Sequence, residues 1–132
     1  MVEKDSRKTS LEEIADRHVL EILKAAARRR PRDLEILFSL GDLFTKLGYI
    51  EEGLEVDLTL ARLQPRDPTV HYNLACSYAL LGKKEEAFSE LRKAVRLGYS
   101  DPDHMRADPD LESLRGDPRF GKILALLERR IR

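Results

Sequence analysis

The sequence predicts an all-α protein built from antiparallel helical hairpins, and three observations predict it. A 34-residue pattern is written twice between Asp33 and Asp101: Pro31 and Pro65, Leu40 and Leu74, Leu47 and Leu81, Gly48 and Gly82, and Leu63 and Leu97 each stand one period apart. A period in this range marks stacked structural repeats. Within each copy the apolar residues recur at helical spacing, Leu37, Leu40, Gly41 and Phe44 in the first and Leu74, Ala75, Tyr78 and Leu81 in the second. Glycines close the helices and leave connections of so few residues that neighbouring helices must run antiparallel.

Taken in order, residues 1–9 are polar and mixed in charge and read as a flexible tail. The remainder, 10–132, reads as one domain. Ser10 with Glu13 fits a capping box, and Leu11, Ile14, Ala15, His18, Val19, Ile22, Leu23 and Ala26 carry a helix to Arg30. Arg28, Arg29 and Arg30 read as a solvated helix end, where cations meet the negative pole, rather than as an anion site. Pro31 stops the helix. Asp33 caps a helix over 34–47, and Glu51 opens its partner, which ends near Leu63; together they make a first unit over 33–65. Asp67 caps the second unit, 67–98, with Pro68 at the first helical position and Lys84 to Leu97 as the return helix. Gly41, Ala75, Gly53 and Ala87 are small enough to let the paired backbones approach. Asp57 interrupts the apolar surface of the first unit and is expected to be exposed. After Asp101 the period is expected to break. Three Asp-Pro pairs then mark starts: a short turn over 102–107, a short helix over 109–115 and a final helix from Pro118 to near Arg130, so that 101–132 reads as a capping segment.

The 24 Lys and Arg balance the 24 Asp and Glu, which leaves no electrostatic case for nucleic acid or for a membrane surface. No apolar run approaches the ~18 residues of a membrane helix. The amino-terminal stretch lacks the apolar centre of a secretion signal. The lone Cys76 has no internal disulfide partner, which fits a reducing compartment, and a cytoplasmic location is expected. His18, His71 and His104 are scattered without a second ligand at i+3 or i+4, so no metal site and no cofactor is expected. His71 falls on a packed face and reads as a core histidine. Cys76 has no base and orienting group in view, and no catalytic constellation is found, so the chain is not read as an enzyme.

At Leu37, Leu40, Gly41, Phe44 and Pro65, and again at Leu74, Ala75, Tyr78, Ala87 and Ala94, the chain resembles the tetratricopeptide repeat family. The two phased copies cover about half of it, and the helix over 10–30 falls in phase as the second half of a degenerate unit. The stretch from Asp108 to Phe120 looks like the segment that ends such arrays. The resemblance implies a right-handed superhelix that binds a peptide or helix of a partner protein in its concave groove. Carried over by phase, the first-helix residues facing that groove are Glu35, Phe38, Asp42 and Thr45 in the first unit and Thr69, Tyr72, Asn73 and Cys76 in the second. Phe38 and Tyr72 have a second reading, in which they pack on the preceding or capping helix. The family's carboxylate clamp is matched only at Asn73. A different class of function is an oligomerisation or structural module whose groove is filled by its own chain or by a second copy.

Overall fold

A computed structural model describes residues 2–131 in their backbone and, from Ser10 onward, their side chains. Among the described residues every regular element is helical: α1 (Val2–Arg29), α2 (Leu34–Lys46), α3 (Ile50–Leu63), α4 (Pro68–Leu80), α5 (Lys84–Arg96), α6 (Pro102–Ala107), a 3₁₀ helix (Pro109–Leu114) and α7 (Pro118–Arg130). No helix is long and apolar enough to cross a membrane. Both expected hairpins, α2–α3 and α4–α5, are present.

Helix starts follow the residue types foreseen for them. The carboxylates of Asp33, Asp67, Asp101, Asp108 and Asp117 each accept from a backbone N–H in the turn that follows, on Ile36, Thr69, His104, Asp110 and Arg119. These bonds satisfy first-turn donors that have no partner inside the helix. At the other end, Gly48 and Gly82 take φ of +86° and +74°, where a Cβ would be strained. That left-handed step lets the next N–H reach back, Tyr49 to the Phe44 carbonyl at 2.8 Å and Lys83 to that of Tyr78 at 2.9 Å.

Three local features differ from the sequence reading. First, α1 extends back to Val2, so Ser10 lies inside it and does not cap it. No glycine or proline occurs before Pro31 to break the helix. Second, the period continues past Asp101. The helices α2, α4 and α6 begin at Leu34, Pro68 and Pro102, and α3, α5 and α7 begin at Ile50, Lys84 and Pro118, each 34 residues after the last. The carboxy-terminal segment is therefore a third hairpin with a broken first helix. Pro109 stands where Ala75 stands one period earlier, and a proline there can neither donate its N–H nor avoid the carbonyl four residues back. Asp108 then caps a fresh 3₁₀ start. Third, Asp57 is not exposed. It is buried, at 6%, and accepts from the Ser77 hydroxyl at 2.6 Å.

Where one domain is expected, the chain divides into two compact units, one ending at Val56 and the other beginning at Asp57, with the division inside α3. In the first unit α1 packs on α2, and Leu20, Leu37 and Leu40 are buried. A Cβ added to Gly53 of α3 would lie 3.1 Å from the Thr45 hydroxyl and 3.7 Å from the Gly41 carbonyl of α2, so this hairpin does use small residues for close approach. In the second unit α5 is sandwiched by contacts to α4 and α7, and α4 also meets the 3₁₀ helix. Its core is Ala75, Phe88, Leu91 and Val95 with Met105, Leu111, Leu114, Phe120, Ile123 and Leu127 from the third hairpin.

Candidate functional site

The first helices of the hairpins, α2 and α4, carry all eight residues singled out in the sequence. Their surroundings divide them. On α4, Tyr72 and Cys76 are buried, at 4% and 7% exposure, on the helix that meets the 3₁₀ helix of the same chain, and the His104 ring of α6 lies 5.6 Å from that of Tyr72. The Tyr72 hydroxyl donates to Asp108 Oδ2 at 2.7 Å, and its ring stacks on Tyr99 with centroids 4.3 Å apart and planes 2° from parallel. Cys76 Sγ donates to the same oxygen at 3.7 Å, and His104 Nε2 lies 3.3 Å from it. One turn further along α4, the Ala79 carbonyl accepts from Ser113 Oγ at 3.1 Å. Of the two readings held for Tyr72, packing on the capping segment describes its position. The physical reason is Asp108: a carboxylate carried in by the third hairpin is solvated by the protons that Tyr72 and Cys76 present.

At the rim of this face, Thr69 is exposed and Asn73 is half-buried, and the Asn73 amide makes no hydrogen bond among the described residues. On α2, Glu35 and Asp42 are exposed and form no ion pair among the described residues, while Phe38 is partly exposed. Partial burial raises the Asp42 carboxyl above its ordinary value, and no cation offsets this. Thr45 turns away from open surface. Its hydroxyl donates to the Gly41 carbonyl at 3.1 Å and lies against Gly53 inside the hairpin.

His71 is a core residue, as its place on a packed face indicated. Nδ1 meets Glu90 Oε1 and Nε2 meets the Pro65 carbonyl, both at 2.7 Å. Both ring nitrogens are thus engaged inside the protein. Cys76, Asp108 and Asp110 bring ligand atoms within 4.8 Å of one another, the one such grouping among the described residues. Their chemistry is already engaged: burial pushes the Cys76 thiol far above the usual cysteine range, and it spends its proton on Asp108. A buried, protonated thiol is a poor nucleophile at neutral pH.

The sequence reading took Asp108 only as a helix cap and missed its role as the anchor of the third hairpin. A signal was present. Asp108 falls one period after Leu74, at a core position of the pattern, and Gly116 falls one period after Gly82. A polar residue at a core position needs partners, and α4 supplies them.

Residues 68–97 match the family model for the tetratricopeptide repeat. No curated protein sequence matches the chain. Among solved structures, the chain is similar to one named "MamA MSR-1 C2", with a TM-score of 0.67 and 20% identity, over 91% of this chain and 72% of that one. That likeness shows a shared fold.

Proposed function

We propose that this tetratricopeptide repeat protein is a non-enzymatic interaction scaffold that binds a peptide or helix of a partner protein through the first helices of its hairpins. The observation that carries the reading is the face of α2, where a partly exposed Phe38 stands one turn from Asp42, a carboxyl raised by burial and left without a cation. An aromatic ring beside an uncompensated acid suits a segment that pairs an apolar side chain with a Lys or Arg. Glu35 adds negative charge on the same helix. In the other unit, and taken by itself, the open amide of Asn73 on α4 can donate to and accept from a peptide backbone. Tyr72 and Cys76 serve this reading as support for α4 and not as contact surface. The engaged state of Cys76 and Asp108 favours binding over turnover, and a single protonated thiol fits a reducing, cytoplasmic setting.

The oligomerisation reading is favoured in one respect, because the face of α4 is filled by the chain's own third hairpin. The two readings combine: the filled face is structural, and the face of α2 is left for a partner. The test is capture of partners on the full chain, mapping of the bound segment, and titration against wild type and the Phe38→Ala, Asp42→Lys pair. Affinity is expected to fall by roughly tenfold or more, the scale of a lost aromatic anchor, with the melting temperature nearly unchanged. Full binding by the double variant would place the partner elsewhere and end this assignment.

A further inference from the structure

One cluster in the second unit gathers sulfur, nitrogen and oxygen donors. Cys76 comes from α4, and His104, Asp108 and Asp110 come from the stretch 104–110 of the third hairpin. Asp108 Oδ2 stands 3.7 Å from Cys76 Sγ and 3.3 Å from His104 Nε2. Ligand atoms of Cys76, Asp108 and Asp110 all lie within 4.8 Å of one another. A tetrahedral zinc ion, with bonds of about 2.3 Å to sulfur and about 2.0 Å to nitrogen or oxygen, sets its ligand atoms roughly 3.3–3.6 Å apart. Two edges of the cluster are close to that spacing. The Asp108 carboxylate is also oriented as metal-binding carboxylates are: Oδ1 accepts from the Asp110 N–H at 3.0 Å, and Oδ2 accepts from the Tyr72 hydroxyl. A further observation stands beside these. The Tyr99 hydroxyl is the one buried side-chain nitrogen or oxygen among the described residues without a hydrogen-bond partner. Its ring is stacked on Tyr72, and the charges of Cys76 and Asp108 reach it. An orphan of this kind marks a place where an ion or water belongs.

We propose that Cys76, His104, Asp108 and Asp110 bind one zinc ion, which ties the third hairpin to α4. With the thiol protonated, these atoms form the hydrogen-bonded network described above. Zinc replaces the shared proton. The Cys76 S–H bond breaks, a Zn–S bond forms, and the proton leaves to solvent, with no change of oxidation state. His104 binds through Nε2 as a neutral imidazole. Its side chain is 56% exposed and Asp110 is partly exposed, so this edge of the cluster gives the ion a way in. Asp110 completes the four ligands by a side-chain rotation. The donors select the metal: a thiolate and an imidazole suit zinc, whereas calcium and magnesium take oxygen ligands. The exchange also gives Tyr99 a partner, because a zinc-bound thiolate accepts a hydrogen bond where the thiol donated its proton to Asp108. Removing the proton of a buried thiol costs free energy, so dissociation is expected at roughly micromolar concentration. This inference is independent of the face on α2.

Titration of the full chain with cobalt(II) and with zinc tests it. Cobalt(II) is expected to give the visible bands of a tetrahedral site and a sulfur-to-metal charge-transfer band, and one equivalent of zinc should bleach both. Saturating zinc should raise the melting temperature, because only the folded chain brings the four ligands together. Cys76→Ser should remove the charge-transfer band. His104→Ala should weaken zinc binding by roughly tenfold or more while the melting temperature without metal stays nearly unchanged, since this side chain is largely exposed. A chain that binds neither metal at concentrations well above micromolar overturns the proposal. Binding without the charge-transfer band overturns it too, as does binding that His104→Ala leaves intact, because the metal then sits elsewhere. Should Cys76→Ser fail to fold, the wild-type cobalt spectrum and the His104→Ala titration decide the matter by themselves.

Discussion

Tyr72, Cys76 and Tyr99 become anions when they lose a proton, and each sits where an anion is poorly solvated. Burial pushes Tyr72 and Cys76 well above their ordinary values and raises Tyr99 to about 12, with the negative charge of Asp108 adding to all three. The folded chain therefore holds protons that the unfolded chain releases near 9.0 for the thiol and 10.0 for the phenols. Stability from these groups is present in full below those values and is lost as pH rises toward about 12. Urea midpoints should stay level from neutral pH to the onset of thiol ionisation and then fall steeply; a midpoint unchanged at pH 12 would contradict this placement of the three groups. Asp57 offers a second test at the same scale. Ser77→Ala removes its 2.6 Å donor and leaves a buried carboxylate short of a partner. The expected cost is about 1–3 kcal/mol by denaturant titration. A loss within experimental error would mean that Asp57 is held by its other contacts alone.

At the scale of the element, the third hairpin decides whether the second can stand. α7 covers α5, and the 3₁₀ helix covers α4. The attachment is polar as well as apolar: Arg130 donates to the Val95 carbonyl at 2.9 Å, Arg119 pairs with Glu85 at 2.8 Å, and the Arg119 guanidinium lies 4.3 Å from the centre of the Phe88 ring. Without this hairpin, Tyr72, Phe88 and Leu91 lose the residues that bury them, and hairpins in an array depend on their neighbours. A chain ending before Asp101 should therefore aggregate or lose its cooperative thermal melt. If it instead melts like the full chain as a monomer, the third hairpin is not a cover. From Asp33 onward the helices were legible in advance because their boundaries are local chemistry. An Asp before a first turn and a glycine after a last turn act on backbone groups within four residues. Pro109 acts at the same short range, and it is why the third first-helix is broken in two.

For the whole molecule, the amino-acid sequence by itself determined the class, the phase of the first two hairpins and the ends of their helices, since a 34-residue period, helical spacing and capping residues are all readable along one dimension. It also placed His71 in the core. What it left undecided concerned side chains whose partners lie far along the chain. Tyr72 and Cys76 carry the spacing of an open helix face, and only the arrival of Asp108, 36 and 32 residues later, makes that face an interior. Asp57 reads as a surface acid until Ser77, 20 residues on, is seen donating to it. Glu35, Phe38 and Asp42 carry the same spacing and stay at the surface. Helix periodicity says which residues share a face. Whether the face meets water, a partner or the chain itself is settled by long-range packing, because the free energy of a polar group depends on what surrounds it in space and not on its neighbours in sequence.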